Sequence, residues 1–193
     1  VFAGKGGVEF PESESYINSI HTTTASCQDC HMATMSGKSG GHTFVAKGNF
    51  NGCNVTGCHS TAPIDANNTA YWKTPRANIK ALLEQLGTIL TVTHNNGTTY
   101  NLLNTNSDSE SNLWASLTAP KYDGYLNIIN SSNPNTGATV IPNTYFTLTN
   151  VQMGALMNFQ FGLREYSLGI HNYKYVHALL HNSIEALGVT PAN

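Results

Sequence analysis

Four cysteines and two histidines are the residues of this chain best suited to chemistry. The cysteines form two pairs, and a histidine directly follows each pair. The first group is Cys27, Cys30 and His31, and the second is Cys53, Cys58 and His59. Thiols and imidazoles bind transition metals and haem iron, and neighbouring cysteines also form disulfides. The spacing within each group favours one of these chemistries.

The first group reads Cys-Gln-Asp-Cys-His, which is the attachment sequence for c-type haem. In that chemistry two thiols add across the vinyl groups of the haem, and the adjacent histidine becomes an axial ligand of the iron. The second group has four spacer residues instead of two, so the loop between its cysteines is wider. As in the first group, the histidine directly follows the second cysteine. The sequence therefore predicts two covalently bound haem c groups. Their predicted attachment residues are Cys27, Cys30, Cys53 and Cys58, and their first axial ligands are His31 and His59.

Two alternatives use the same cysteines. Exported chains form disulfides, and four thiolates also suit a zinc ion. Histidine makes up 8 of the 193 residues, so finding one after both pairs by chance has a probability of roughly 0.2%. The haem interpretation requires a histidine at that position, and the two alternatives do not.

Each haem iron has a second axial position. The histidines available for it are His21, His42, His94, His171, His177 and His181. Methionine is the competing ligand. Met32 and Met35 lie too near their own attachment site, and Met153 and Met157 are spaced for one helical face, where packing against a haem is favoured. The inventory favours histidine on both sides of each iron.

Three of these histidines have other interpretations. His94 precedes a predicted turn and is expected at the surface. His177 and His181 are i,i+4 neighbours on a predicted helix, a spacing that suits a metal ion. Because no carboxylate ligand is evident beside them, a solvated or haem-packing face is favoured.

The composition is polar but weakly charged. Asn, Thr and Ser supply 60 of the 193 residues, and charged residues make up 10%, where about 25% is usual. The net charge of −2 gives no basic field for nucleic acid or anionic lipid. A neutral, hydrogen-bonding surface steers a soluble partner weakly and suits close packing between copies of the chain.

Targeting signals are consistent with an exported protein. No apolar run approaches the ~18 residues of a membrane span. No charged and apolar leader follows Val1, which is expected to be the start of a processed chain. The expected location is extracellular or periplasmic.

The predicted fold class is mainly α and irregular, a small cytochrome c organised by its haems, with a small β-hairpin and strand insertion in the middle. One dihaem domain is expected over 1–193. Its parts are a haem-attachment core at 21–62, an insertion of unknown role at 63–148, and a C-terminal helical pair at 149–188 that carries a haem ligand.

Periodicity and capping residues predict the individual elements. A helix begins at Pro75, with Thr74 as its cap, and ends at Gly87. Two more helices run from Thr149 or Asn150 to about Tyr166, and from about His171 to Leu187. Asn96-Gly97 predicts a hairpin turn between 89–93 and 98–100. Further predictions are a helix over 110–117 and strand segments at 125–129, 139–141 and 145–148.

Two stretches resemble a known group of proteins. Residues 19–35, followed by Gly-His-Thr-Phe at 41–44, are similar to the S-x-H…C-x-D-C-H-M…H-T-F run of multihaem cytochromes c. The C-terminal Gly-Ile-His-Asn at 169–172 and its surroundings resemble the same group, which spans pentahaem nitrite reductases, octahaem enzymes and extracellular electron-transfer cytochromes. The resemblance covers residues 16–60 and 150–187, and 63–148 lies outside it.

The resemblance implies roles for three histidines. It pairs His171 with His31 on the first haem. It makes His42 the far-side ligand of another haem, either the one on His59 or one in a neighbouring molecule. His21 corresponds to a residue that is catalytic in nitrite-reducing members and an iron ligand elsewhere. The chain lacks the C-x-x-C-K attachment site, so an open iron position is not indicated.

The sequence thus favours electron transfer by two bis-histidine haems and a protein that is not an enzyme. Small extracellular dihaem cytochromes and the filament subunits of metal-reducing bacteria are the members it most resembles, which implies other redox proteins or copies of itself as partners. The alternative is a soluble dihaem shuttle. A peroxidase or reductase with one open iron, using His21 or His94 as acid and base, is the enzymatic alternative.

Overall fold

The computed structural model describes residues 1–95, 97–103, 126–127, 141 and 146–193. The helices are α1 (His21–Thr24), α2 (Cys27–His31), α3 (Thr74–Ile89), α4 (Asn150–Arg164) and α5 (Tyr173–Ala186), and the strands are β1 (Thr91–Thr93) and β2 (Thr99–Asn101). A 3₁₀ turn at Gly41–Thr43 and a π-helical turn at Thr69–Lys73 complete the regular structure of this part. The described residues are thus mainly helical with one two-stranded antiparallel sheet, as predicted at that level.

The predicted helix over 110–117 lies outside the described residues. Of the strand segments 125–129 and 139–141, the structure describes Leu126, Asn127 and Ile141. Leu126 bridges to Leu103, and the Ile141 N–H donates to the Asn127 carbonyl at 2.9 Å. Residues 146–148 are described and are not a strand.

Helix α3 is longer than the sequence predicted at both ends. The π-helical turn runs directly into it, so Thr74 is its first residue and makes no capping hydrogen bond. It continues through Gly87 to Ile89. A glycine inside a helix costs about 1 kcal/mol, but Gly87 is buried and its carbonyl accepts from the Asn101 amide at 3.1 Å. Tertiary contacts therefore carry the helix past the expected stop.

The C-terminal helices follow their local signals. Thr149 caps α4 reciprocally with Gln152, because the Thr149 hydroxyl accepts from the Gln152 N–H and the Gln152 side chain accepts from the Thr149 N–H. This confirms the predicted start. Helix α5 begins at Tyr173, two residues later than predicted, so His171 lies in the turn before the helix.

The hairpin forms where Asn96-Gly97 predicted it. Val92 pairs with Tyr100, and the His94 N–H donates to the Thr98 carbonyl at 2.8 Å. The expectation that His94 is a surface residue was wrong. His94 is buried, 6.2 Å from the Tyr100 ring, because the hairpin folds onto the core.

The hydrophobic core lies between three helices. Helix α3 packs against α4 and α5, and α4 packs against α5. The predicted apolar face of α3 is fully inside, since Ile79, Leu82, Leu83 and Leu86 are buried. Among the described residues, no helix is both long and apolar enough to cross a lipid bilayer.

Residues 1–63 contain no buried apolar side chain, and their buried residues are Gly40, Asn49 and Gly52. In the N-terminal arm, residues 1–20, the partly buried Val1 and Phe10 pack against the core. Hydrogen bonds from asparagines also position this arm. Asn158 both accepts from the Val8 N–H and donates to the Val8 carbonyl, each at 2.7 Å. Asn182 pairs with the Glu14 backbone in the same two-way manner. The arm is therefore fixed along α4 and α5, although it has no helix or strand.

Candidate haem-binding site

Helix α2 carries the first cysteine group. Its single turn is stabilised by Asp29, whose carboxylate accepts from the Ser26 N–H at 2.7 Å and from the Ser26 hydroxyl at 2.9 Å. These hydrogen bonds lower the pKa of Asp29. Cys27 and Cys30 are three residues apart on this turn, so they share one face of it. His31 is the last residue of the helix.

The second cysteine group lies in a loop. The His59 N–H donates to the Cys53 carbonyl at 3.0 Å, which closes the loop across the whole group. Asn54 holds the loop to the following segment, because its side chain accepts from the Ile64 N–H at 2.7 Å and donates to the Ile64 carbonyl at 2.9 Å. Of the two cysteine groups, only the first therefore lies in a helix.

The two groups touch at Gly52. A Cβ at this position would fall inside contact distance of the Asp29 carbonyl oxygen and 2.9 Å from the Cys30 Cα. Only a residue without a side chain allows the two backbones to approach this closely. The two predicted attachment sites are therefore neighbours in space as well as in sequence.

The thiols are not paired with one another. All four cysteines are free, and no three His, Cys, Asp or Glu side chains of the described residues converge on one metal position. Burial is the largest cause that raises the pKa of Cys30 and of Cys53, and nearby negative charge raises both further. The geometry thus contains neither the two disulfides nor the four-thiolate cluster of the alternative interpretations.

Each histidine that follows a cysteine pair has the ring of a second histidine close to it. The rings of His31 and His171 have centroids 6.2 Å apart with an interplanar angle of 23°. The rings of His21 and His59 have centroids 6.2 Å apart with an interplanar angle of 75°. Two imidazoles on opposite faces of one iron, each bonded at about 2.0 Å, have centroids roughly 6 Å apart. Both separations therefore suit a shared iron.

Three of these rings are oriented through Nδ1. This nitrogen contacts the Phe44 carbonyl at 2.9 Å in His31, the Ile170 carbonyl at 3.2 Å in His21, and the Glu165 carboxylate at 3.2 Å in His171. An imidazole whose Nδ1–H donates to an oxygen keeps the lone pair of Nε2 for a metal. This is the usual outer-shell pattern of a metal-binding histidine.

His59 has a different environment. Its ring packs on Tyr71 with centroids 5.1 Å apart, and it has no hydrogen-bond partner for its ring nitrogens among the described residues. Burial, followed by the charge of His21, lowers the pKa of His59.

The other predicted candidates lie outside these two pairs. His42 is exposed in the turn Gly41–Thr43, and Met153 and Met157 are exposed on α4. The His177 and His181 side chains are largely buried and not on a solvated face. His177 Nδ1 contacts the Glu14 carboxylate of the arm at 2.8 Å, a partner that the helical pattern alone did not indicate.

Sequence reasoning missed Glu165. Its side chain is fully buried and accepts four hydrogen bonds, from His171 Nδ1, from the N–H groups of Ser167 and Gly169, and from the Ser167 hydroxyl. A carboxylate six residues before a candidate ligand was the available signal.

The surroundings of the histidine pairs suit a large apolar group. Eight of the exposed large apolar side chains lie within residues 17–71: Ile17, Ile20, Met32, Met35, Phe44, Val45, Val55 and Tyr71. Because these residues lie in the same segments as the cysteines and histidines, a porphyrin attached there would have apolar side chains to contact. The donor set, the ring separations and these exposed apolar side chains are compatible with two c-type haems.

Comparison with protein-family models, with curated proteins and with solved structures yields no match. The residues of the two cysteine–histidine groups and their geometry therefore carry the functional interpretation.

Proposed function

We propose that this protein transfers electrons by two c-type haems, each ligated by two histidines of the same chain. The observation that carries the proposal is the pairing of both predicted proximal ligands, His31 and His59, with a second histidine at 6.2 Å. When bound, haem iron supplies a one-electron ferric–ferrous couple.

The chain's own residues have three tasks in this proposal. The cysteines fix the haems covalently: Cys27 and Cys30 hold one, and Cys53 and Cys58 hold the other. His171 and His21 would supply the second histidine of each iron, so that no position would be left for a substrate. Gly52 keeps the two attachment segments in backbone contact, so groups attached to these segments would be held near each other.

The enzymatic alternative has less support. It needs a free histidine above an open iron, but His21 faces His59 and His94 is buried in the hairpin. In our proposal, the protein is therefore an electron carrier and not a peroxidase or reductase. We place it outside the cytoplasm, with other redox proteins or copies of itself as partners.

Ligation by a neighbouring copy is not required by this geometry, because both histidine pairs form within one chain. A filament built from these subunits would therefore use packing contacts and not His42 as a ligand. Electron microscopy of the haem-loaded protein separates regular filaments from dispersed particles of about the monomer mass of 20.8 kDa.

The test uses the haem-loaded protein and three variants. Mass spectrometry should find two covalent haems, and the oxidised spectrum should be low-spin. H171A and H21A should each convert one haem to a high-spin state, and H42A should convert neither. A colourless protein would overturn the haem proposal, and a high-spin signal in H42A would overturn ligation within one chain.

A further inference from the structure

The turn between α4 and α5 buries a carboxylate against local electrostatics. Glu165 directly follows the last residue of α4, where the helix dipole disfavours a negative charge. Its side chain is fully buried, and burying a charge without compensation is costly. The burial of a carboxylate at this position therefore needs a specific explanation.

Backbone geometry shows how the turn accommodates the charge. Tyr166 and Leu168 have φ values of 58° and 55°, and Gly169 has a φ of 85°. Left-handed backbone is sterically unfavourable for a residue with a side chain. In return, the turn directs the N–H groups of Ser167 and Gly169 at Glu165 Oε1, at 3.0 and 2.6 Å. Backbone N–H groups that converge on one point form a site for a negative charge.

The second oxygen of this carboxylate faces the candidate ligand. Glu165 Oε2 lies 3.2 Å from His171 Nδ1 and also accepts from the Ser167 hydroxyl. The Ser167 hydroxyl in turn accepts from the His171 N–H at 3.2 Å. The turn therefore fixes both the backbone and the ring of His171 relative to one buried negative charge.

The two histidine pairs differ in this respect. In the first pair, His171 contacts a carboxylate and His31 contacts a carbonyl. In the second pair, His21 contacts a carbonyl and His59 packs on an aromatic ring. The Arg76 guanidinium, stacked 4.6 Å from the Trp72 ring centre, acts on Glu165 electrostatically and offsets part of this charge.

A carboxylate that accepts the Nδ1–H of an axial imidazole makes that ligand a stronger electron donor and so favours ferric over ferrous iron. Resting on the proposed function, we propose that Glu165 is a positioning residue that gives the haem of His31 and His171 the lower reduction potential of the two. The haem of His21 and His59 is then the first to be reduced.

The wild-type protein provides the first test, by electron paramagnetic resonance during a dithionite titration. Near-parallel imidazole planes give a rhombic ferric signal, and near-perpendicular planes give a signal with one very large g value. The interplanar angles of 23° and 75° assign these signals to the first and second pair. The large-g signal should disappear first. The opposite order would overturn the proposal, and the absence of any low-spin signal would instead overturn the proposed function.

The second test replaces the charge but keeps the shape. In E165Q, the ratio of oxidised to reduced iron in the rhombic haem should fall about tenfold at a fixed potential, which equals an upward shift of about 59 mV for one electron. The large-g haem should not change. E14Q is the matched control, because Glu14 contacts His177 in the same way, and it should shift neither haem.

Three results would reject a tuning role for Glu165. These are an unchanged potential in E165Q, an equal shift of both haems, and a shift of the same size in E14Q. A high-spin E165Q protein would show that Glu165 only holds the ligand in place, and that result also counts against the proposal. If E165Q fails to fold, the order in which the two haems of the wild type are reduced tests the proposal.

Discussion

At the scale of single residues, asparagine has a larger structural role than its polarity suggests. The sequence predicted a neutral surface rich in Asn, Thr and Ser. Instead, Asn49, Asn127, Asn158, Asn172 and Asn182 are buried. An amide side chain offers one acceptor and two donors, so it can satisfy backbone groups of a segment that has no helix or strand. Asn49 does this in the loop between the cysteine groups, where it donates to the carbonyls of Thr34 and Ser39.

Asn158 provides the prediction at this scale. In N158A, the N–H and carbonyl of Val8 lose their partner. The Ser183 hydroxyl loses the amide that donates to it at 2.9 Å and keeps its own hydrogen bond to the Leu179 carbonyl. Unsatisfied buried groups cost about 1–3 kcal/mol each, so we expect the free energy of unfolding to fall by about 2–3 kcal/mol. Denaturant titration followed by circular dichroism measures it. The exposed N67A should stay within about 0.5 kcal/mol, and an equal loss in both variants would contradict the prediction.

The candidate site could be predicted in large part at the residue scale. The cysteine–histidine groups are short sequence motifs, so they can be recognised without the structure. The resemblance implied the pairing of His171 with His31, which the geometry also favours. Whether His21 or His42 is the second ligand of the other haem could not be predicted from local sequence, because it depends on how α1 packs against the turn before α5. The role of Glu165 depends on left-handed backbone at Tyr166 and Leu168, which no propensity predicts for those residue types.

At the scale of elements, a local capping signal predicted the start of α4, whereas a glycine did not predict the end of α3. The Thr149–Gln152 capping box is a short-range hydrogen-bonded unit, so α4 begins where predicted. Gly87 did not end α3, because packing against the rest of the core outweighed a local cost of about 1 kcal/mol. The arm has no periodic pattern at all, so its course along α4 and α5 was not predictable.

One contact of the arm depends on pH. Glu185 accepts from the Ser13 N–H at 3.0 Å and from the Ser13 hydroxyl at 2.7 Å. These hydrogen bonds, and to a lesser degree the charge of His181, lower the pKa of Glu185 from its ordinary value of 4.5. A lowered pKa in the folded state means that the contact stabilises the fold above 4.5 and is lost as the pH falls through the lower value.

The nuclear magnetic resonance titration of the Glu185 carboxyl tests this contact. Its midpoint should lie below 4.5 in the wild type and move upward in S13A, which lacks the hydroxyl donor. E185Q should leave the arm around Ser13 more open to proteolysis at neutral pH. A midpoint that is the same in S13A and the wild type would show that the hydroxyl has no part in the shift.

At the scale of the whole molecule, the chain has two regions that are stabilised differently. Helices α3, α4 and α5 share a buried apolar core, whereas residues 1–63 have no fully buried apolar side chain and pack the partly buried Val1 and Phe10 against that core. Ordering a residue costs about 1–2 kcal/mol in backbone entropy, and hydrophobic burial is the main term that offsets this cost. In our proposal, the apolar side chains around the two histidine pairs pack on covalently bound haem.

This division predicts how the molecule responds to loss of the attachment residues. Replacing all four cysteines with serine should greatly increase amide hydrogen exchange in 21–62, because that segment has no core of its own. Exchange in α3 and α5 should change little, since their contacts lie within the three-helix core. The arm should keep partial protection through Asn158 and Asn182, which bind it to α4 and α5.

Hydrogen exchange with mass spectrometry, comparing the haem-loaded wild type with the four-serine variant, distinguishes two physical descriptions of the fold. Increased exchange confined to 21–62 would mean that haem attachment orders this segment on a helical core that folds independently. Unchanged exchange in 21–62 would mean that the chain alone orders it, through amides such as Asn49 and Asn54. Increased exchange throughout the protein would mean that the core itself depends on the haems, and the division into two regions would be wrong.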